Sequence, residues 1–332
     1  MDGNPKVLKN DHFINVDDKK IDFTRDYLIP FYKKAATIMR EYNEDWLLFL
    51  ENDPSLNGSI HVHQWTDNIP SESIDAFHWY DLIQLGLKKF IYPINLDLMK
   101  RRPVLGFKGI QKMYCRQLKS HINMNLDSQT NIPAFLGEFG ISMDMDNKKC
   151  YRKWAKGNNK ENWRNKNNKA FRKHEKILNL MYNCLDTLLL SSTQWNYAPF
   201  NDNDYGDHWN LEDLSIYCKD QEVETFEENK YSGARGLAGF CRPYALRIPG
   251  KPTRMSFNWR NGEFILEYIP NLSIKTKGEV FIPYVQYPHG YHMRCVGGAF
   301  AVRNLADERI YLKNRSNEPV FLIVWRTEAL IP

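Results

Sequence analysis

The sequence predicts an α/β fold with parallel strands, followed by an antiparallel β-sandwich. Apolar runs of strand length alternate with stretches of helical periodicity, and the pattern changes to short alternating strands from about Gly233. Strands that alternate with helices are typical of βαβ units and a parallel sheet. The chain has 332 residues, of which 42% are hydrophobic and 26% charged. That composition predicts a globular protein with two domains.

Four apolar runs are predicted to be the parallel strands, because buried parallel strands are continuously apolar. A helix precedes the first of them, with an apolar face formed by Leu28, Phe31, Ala35, Ile38, Met39 and Tyr42. The runs are WLLFL at 46–50, SIDAFHWYD at 73–81, IPAFLGEFG at 132–140 and TLLLSSTQWNY at 187–197. We expect residues 46–50 to be buried on both faces of the sheet.

Two further helices are predicted between the last three strands. Their apolar faces are Phe107, Ile110, Tyr114 and Leu118 in one, and Phe171, Ile177, Met181, Cys184 and Leu188 in the other. A doubly wound open sheet shows the same alternation, but it usually carries a glycine-rich phosphate turn, which this sequence does not have. Strands that all end in polar or aromatic residues favour a (β/α)8 barrel, whose chemistry is built at that end.

The last hundred residues are predicted to form a small antiparallel β-sandwich. Alternating apolar residues flank Asn261-Gly262, which is a strong hairpin signal. The runs GEVFIPYVQYP, AFAVRNL, RIYLKN and PVFLIVWR follow as short strands. We therefore divide the chain into a barrel part at 1–225 and a sandwich domain at 226–332.

Composition excludes several classes of protein. The net charge of +5 does not by itself imply a nucleic-acid partner. Six cysteines without a CxxC pair argue against a zinc site, and we expect them to be free thiols. No apolar run is long enough to span a membrane, and no secretory h-region opens the chain. A cytoplasmic protein, peripheral at membranes, is the expectation.

The ends of the predicted strands carry the residues of interest. They offer Glu51 with Asn52, His78 with Trp79 and Tyr80, then Glu138, and finally Gln194, Trp195, Asn196 and Tyr197. A carboxylate among His, Tyr and Trp suits a retaining glycosidase. The carboxylate attacks the anomeric carbon, a Tyr or His orients it, and a Trp forms the floor under the sugar ring.

These motifs resemble glycoside hydrolase family 5. FLGEFGI is similar to the nucleophile strand of that family, AFHWYD to the strand before it, and SSTQWNYAP to the eighth strand. YGDHWNLEDLSIY and GARGLAGFCRPYALRIPGKP resemble the endoglycoceramidase branch, which includes glycosylceramidases and steryl glucosidases. The resemblance runs from about residue 25 to the end. It implies a β-glycosidase that cleaves a sugar from a lipid aglycone without a metal or organic cofactor.

The resemblance assigns roles residue by residue. Glu138 would be the nucleophile, and Tyr80 and His78 would contact it and the sugar. Trp195 would be the sugar platform, with Trp79 and Asn196 beside these residues as further substrate contacts. Asp207 and Asn210 lie in the loop after the eighth strand and are predicted to bind substrate.

The general acid of the family is not found in this sequence. The family places it in an Asn-Glu pair after the fourth strand, whereas Asn43-Glu44 precedes an apolar run. A full barrel needs about 250 residues, so we expect only its second half here, either as a fragment or as a genuine half-barrel. Alternatives to a glycosylceramidase are a steryl β-glucosidase, another β-glucosidase, and an inactive glycolipid-binding remnant.

A basic stretch follows the nucleophile strand. Residues 147–176 hold twelve Lys or Arg and two Glu, with Trp154 and Trp163 between them. One interpretation is a solvated loop and helix start. The other is peripheral contact with an anionic membrane, which basic residues and interfacial Trp would favour. We do not expect nucleic acid to be a partner, because no supporting motif accompanies the charge.

Overall fold

A computed structural model describes residues 3, 5–12, 14–17, 19–52, 65, 68–127, 132–157 and 170–327. The chain forms two compact units. The first unit comprises residues 1–78 and 120–135, and the second comprises residues 79–119 and 136–332.

The first unit contains a pair of parallel strands packed against a helix. Its elements up to residue 78 are β1 (Asn15–Val16), β2 (Lys19–Lys20), a π-helical turn (Thr24–Leu28), α1 (Ile29–Arg40), β3 (Leu48–Leu50) and β4 (Ser73–His78). Leu48 pairs with Ser73 and Leu50 with Asp75. The core of this unit is formed by Ile29, Ala36, Leu48, Leu50, Trp65 and Ile132.

Two expectations about this unit are wrong. Most of the predicted apolar face of α1 is in solvent, with Phe31 62% and Ile38 49% exposed. Leu28 packs against the core, but the helix residues that are fully buried are Ile29 and Ala36. In β3, Leu48 and Leu50 are buried while Phe49 is 51% exposed. The strand thus alternates, because only one of its faces lies on the core of the first unit.

The second unit begins with helices and short strands. In chain order the next elements are α2 (Leu82–Leu87), β5 (Ile94–Asp97), β6 (Arg102–Leu105), α3 (Gly106–Asp127), β7 (Ala134–Phe139), α4 (Met145–Gly157), α5 (Arg172–Leu188), β8 (Ser192–Gln194) and α6 (Leu237–Phe240). The end of α3 and the start of β7 belong to the first unit. The predicted apolar faces of α3 and α5 are confirmed, since their central residues are at most 1% exposed: Ile110, Tyr114, Leu118, Ile177 and Met181.

The strands β7 and β8 pair in parallel, as the sequence predicts. Leu136 lies opposite Ser192 and Phe139 opposite Gln194. The fourth strand is shorter than predicted, because α5 continues through Leu188 and ends at Leu189 in a left-handed conformation. The antiparallel pair of β5 and β6 was not predicted.

A disulfide joins two helices of the second unit. The Sγ atoms of Cys115 in α3 and Cys184 in α5 are bonded, so the expectation of free thiols is wrong for this pair. The remaining four cysteines are free.

The carboxyl-terminal strands form the predicted sandwich of two antiparallel sheets. The strands are β9 (Tyr244–Arg247), β10 (Gly250–Asn258), β11 (Glu263–Pro270), β12 (Gly278–Phe281), β13 (Tyr291–Val296), β14 (Ala299–Asn304), β15 (Arg309–Asn314) and β16 (Val320–Arg326). The sheet orders are β10-β11-β16-β13 and β14-β15-β12-β9. The hairpin at Asn261-Gly262 is confirmed, and Gly262 takes a positive φ that favours glycine there.

Side chains from both sheets fill the space between them. The fully buried members of this core are Phe264, Leu266, Tyr268, Val280, Ile310, Leu312, Leu322 and Val324. The segment before the sandwich packs on α5, where Arg242 forms an ion pair with Asp186 at 2.5 Å and also donates to the Phe257 carbonyl. The domain boundary at residues 225–226 stays a prediction.

Glu175 in α5 makes the stability of the folded protein depend on pH. Burial raises the pKa of its carboxyl group from 4.5 to about 7, with Arg172 acting weakly against that shift. The folded protein therefore binds a proton more tightly than the unfolded chain does. The free energy of unfolding is highest below the unfolded pKa of 4.5. It falls as the pH rises from there through the folded pKa of about 7, by about 3 kcal/mol at most.

Glu175→Gln should remove this pH-dependent loss, because the amide does not ionise. Urea unfolding at pH values between about 5 and 8 measures it. The parent should lose stability over that range, and the variant should become the more stable protein at the upper end. An exposed control, Glu318→Gln, should follow the parent. Parallel curves for parent and Glu175→Gln would contradict the prediction.

Candidate active site

Three of the predicted strand ends meet around Glu138 in the second unit. The Trp79 N–H donates to the Glu138 carbonyl at 3.0 Å, and the Trp195 N–H donates to the Phe139 carbonyl at 2.9 Å. Gly140 is required by this approach, since a Cβ atom there would lie 2.2 Å from the Trp195 carbonyl oxygen. The glycine that follows the glutamate and phenylalanine in FLGEFGI thus allows the neighbouring strand end to come close.

Tyr80 is positioned to orient the Glu138 carboxylate. Its hydroxyl donates to Glu138 Oε2 at 2.9 Å. Burial, together with the negative charge of Glu138, raises the pKa of Tyr80 well above its usual value. The phenol therefore remains protonated and keeps its role as a hydrogen-bond donor to the carboxylate.

Trp195 lies at the adjoining strand end, and its side chain is hydrogen-bonded to a second carboxylate. The indole N–H of Trp195 donates to Glu212 Oε2 at 3.4 Å. The charge of Glu212 also contributes to the raised pKa of Tyr80, so this carboxylate is within electrostatic reach of the phenol. Glu138, Tyr80, Trp195 and Glu212 therefore form one polar and aromatic group, which we call the Glu138 cluster.

The predicted substrate contacts Asn196, Asp207 and Asn210 have partners in the loop after β8. Asn196 Nδ2 donates to Asp207 Oδ2 at 3.3 Å, and Asn210 Nδ2 donates to Glu212 Oε1 at 3.3 Å. Asp207 also accepts from the Leu214 N–H, the Ser215 N–H and Asn201 Nδ2. We interpret Asp207 as a residue that fixes this loop, because both of its oxygens are engaged there.

The Trp79 side chain is buried, so a substrate cannot reach it. Its side chain is 1% exposed, donates from Nε1 to Gln117 Oε1 at 3.0 Å, and meets the Tyr114 ring edge-on. Successive residues of a strand point to opposite sides, so the direction that brings Tyr80 to Glu138 turns Trp79 toward α3. Trp79 is a core residue, and its predicted contact with substrate is wrong.

His78 and Glu51 are partners in the first unit. His78 Nε2 lies 2.9 Å from Glu51 Oε1, and the Glu51 side chain is 57% exposed. The predicted catalytic contact of His78 stays a prediction. Glu44 lies in an exposed turn that precedes β3, at the opposite end of that strand from Glu51.

A buried ion pair braces the loop that carries Glu212. Arg235 is fully buried and donates to Asp213 Oδ1 at 2.7 Å, to the Ser215 carbonyl at 2.9 Å and to the Tyr151 hydroxyl at 2.9 Å. Asp213 also accepts from Asn201, which in turn donates to Asp207. Because buried charges are stable only when paired, this network fixes the segment on which the Glu138 cluster depends.

The basic stretch is only partly described. Trp154 is half-buried against Cys150, Tyr151 and Phe171, whereas Trp163 lies outside the described residues. In the part of the chain that the structure describes, no helix is long and apolar enough to cross a membrane. The cytoplasmic location stays a prediction.

Sequence reasoning missed Glu212, Asp213 and Arg235. The first two lie within YGDHWNLEDLSIY, the stretch that carries much of the resemblance, and that overlap was the available signal. The spacing of these residues along the chain does not predict that they would meet Trp195 or one another.

The carboxyl-terminal part of the chain matches a known family model. Residues 242–323 match the glycoside hydrolase family 5 C-terminal domain. The resemblance to glycoside hydrolase family 5 is confirmed. The match covers most of the sandwich.

Curated relatives extend the similarity to most of the chain. A glucosylceramidase of Rhizopus delemar is 28% identical over 307 residues, which is 86% of this chain and 42% of that protein. An ergosteryl-beta-glucosidase of Saccharomyces cerevisiae is 26% identical over 232 residues, which is 66% of this chain and 28% of that protein. The chain thus spans less than half the length of these curated relatives.

Solved structures share the fold. Sterylglucosidase 1 of Cryptococcus neoformans superposes with a TM-score of 0.75 at 21% identity, over 93% of this chain and 45% of that chain. Endo-glycoceramidase II of Rhodococcus superposes with a TM-score of 0.57 at 13% identity, over 92% of this chain and 55% of that chain. The fold of this chain is therefore similar to that of a sterylglucosidase and of an endo-glycoceramidase.

Proposed function

We propose that this chain carries the nucleophile half of a retaining β-glycosidase that cleaves a sugar from a lipid aglycone. The observation that carries the proposal is the Glu138 carboxylate at the end of β7, bonded by the Tyr80 hydroxyl, with Trp195 at the adjoining strand end. A carboxylate held by a phenol beside a Trp suits attack on a sugar stacked on that Trp.

The proposed reaction has two steps. In the first, a Glu138 oxygen bonds to the anomeric carbon while the bond from that carbon to the aglycone oxygen breaks, and a general acid protonates the leaving oxygen. In the second, water attacks the anomeric carbon, loses a proton to the same group and releases Glu138. Tyr80 continues to donate its hydrogen bond to the Glu138 carboxylate. The Glu212 carboxylate is available to accept hydrogen bonds from sugar hydroxyls beside Trp195.

We further propose that the parallel strands are the second half of a (β/α)8 barrel. The general acid, about 5 Å from the nucleophile in retaining enzymes, would come from a segment outside these 332 residues. The chain spans only 45% of the sterylglucosidase chain that it superposes on, which supports this proposal. The exposed position of Glu44 and the pairing of Glu51 with His78 argue against either as the acid.

Glycosylceramide is the proposed substrate class, and steryl β-glucoside is the second candidate. The similarity to a glucosylceramidase supports the first, and the similarity to an ergosteryl-beta-glucosidase supports the second. His78, Asn196 and Asn210 remain proposed substrate contacts. An inactive glycolipid-binding protein is the alternative outside the enzyme class.

Leaving-group chemistry tests this proposal. The purified 332-residue chain is given glucosylceramide, steryl β-glucoside and a dinitrophenyl β-glucoside. We expect slow release of dinitrophenolate, which leaves without protonation, and no release of the lipids, whose alkoxides need an acid. Absence of any release would favour the binding protein. Rapid lipid release would support the hydrolase but contradict the external acid. The α-anomer of the aryl glucoside is the control and should be inert.

A further inference from the structure

Within the loop after β8, residues 205–211 hold three large apolar side chains in solvent. Tyr205 is 73% exposed, Trp209 66% and Leu211 93%. These three residues, which we call the apolar tip, lie within seven positions of the chain. Clustered exposed apolar side chains mark interaction sites more often than scattered ones do.

The backbone beneath the apolar tip is held in place. Asp202 Oδ1 accepts from the Tyr205 N–H at 2.6 Å, and Asp202 Oδ2 lies 2.7 Å from His208 Nε2. His208, Asn210 and Leu211 all have positive φ values, a conformation that costs energy for residues with a side chain. The fold therefore imposes the outward display of Trp209 and Leu211.

A helix with exposed basic side chains is hydrogen-bonded to the base of the apolar tip. The helix α4 exposes four basic side chains, which we call the basic helix face: Lys149, Arg152, Lys153 and Lys156. At the start of this helix, Lys148 Nζ donates to the Asn203 carbonyl at 2.5 Å and to the Asp204 carbonyl at 3.0 Å. The contact joins α4 directly to the base of the tip. Asp204 and Asp220 are exposed at the base of the tip, where Asp220 Oδ2 accepts from the Asn203 N–H at 2.9 Å, but the four cations outnumber them.

We propose that the apolar tip and the basic helix face together dock the protein on a bilayer that contains anionic lipid. Trp and Tyr prefer the boundary between headgroups and hydrocarbon, and Leu enters the hydrocarbon. Basic residues beside them gain from the negative surface potential. The apolar and cationic features match the two layers of a membrane surface, so charge complementarity selects this partner.

Docking in this way would place the Glu138 cluster at the membrane surface. Glu212 directly follows Leu211 in the chain and accepts from the Trp195 indole. A loop that inserts at Trp209 and Leu211 therefore brings the sugar platform close to the headgroups. The docking itself needs no hydrolysis and stands apart from the proposed function.

Sedimentation with vesicles that lack glycolipid tests the docking. The purified full chain is mixed with vesicles of phosphatidylcholine alone, or of phosphatidylcholine with phosphatidylserine. The tip variant is Trp209→Ala with Leu211→Ala, and the helix variant carries Gln at Lys149, Arg152, Lys153 and Lys156. Tyr284→Ala in the sandwich removes an equally exposed aromatic, at 61%, and is the matched control.

We expect the parent and the Tyr284→Ala control to partition strongly onto the anionic vesicles. The tip variant should partition at least about tenfold less onto either vesicle. The helix variant should lose about 100-fold on anionic vesicles only, and added salt should reproduce that loss in the parent. A parent that stays in the supernatant, or a tip variant that binds like the control, would overturn the proposal.

Discussion

Glu138→Gln is expected to lower dinitrophenolate release by this chain about 10⁴-fold or to the uncatalysed rate. The amide occupies the same volume and can still meet the Tyr80 hydroxyl, but it cannot form the glycosyl ester. Removing a nucleophile that acts as part of a catalytic unit has an effect of this size. Initial rates with the dinitrophenyl β-glucoside measure it.

The matched control for this experiment is Glu267→Gln, a half-buried glutamate in a strand of the sandwich. The Glu267→Gln variant should release dinitrophenolate at the parental rate. Glucoside binding by Glu138→Gln should also persist, because Trp195 and Glu212 are unchanged. A rate within about tenfold of the parent for Glu138→Gln would show that the nucleophile assignment is wrong.

Arg235→Met is expected to reduce the free energy of unfolding by about 3–5 kcal/mol. The substitution leaves the Asp213 carboxylate buried without its cation, although its bonds from Asn201 and Tyr151 remain. It also leaves the Ser215 carbonyl without the guanidinium donor. Urea unfolding, monitored by Trp fluorescence, measures the loss.

Arg254→Met makes the same substitution in a surface ion pair. Arg254 Nη1 lies 2.9 Å from Glu267 Oε1, and the Arg254 side chain is 54% exposed. Solvent screens that pair, so we expect a loss below about 1 kcal/mol. Equal losses for the two variants would refute the view that the buried network braces the loop of the Glu138 cluster.

The sequence predicts most accurately where one face of an element lies on a core. Ile110, Tyr114 and Leu118 are buried at their helical spacing, and Asn261-Gly262 forms the expected hairpin, because periodicity and turn chemistry act locally. The meeting of Glu138 with Tyr80 and Trp195 follows from strand ends that lie side by side.

The failures have physical causes in tertiary structure. Periodicity cannot say which of two apolar faces of α1 is covered, so Ile29 and Ala36 were missed while Phe31 is in solvent. An apolar run such as Leu188–Leu190 suits a helix end as well as a strand. Glu212 and Arg235 depend on contacts between distant parts of the chain, which no local pattern encodes.

The measurement that most directly tests the central claim is the mass of the peptide containing Glu138 after covalent trapping. The reagent is a dinitrophenyl β-glucoside with fluorine in place of the hydroxyl beside the anomeric carbon. Its leaving group needs no acid, and the fluorine slows hydrolysis of the ester. The account predicts that this peptide gains one fluoroglucosyl group and that Glu138→Gln gains none. Labelling of a different carboxylate, or no label on the intact chain, would contradict it.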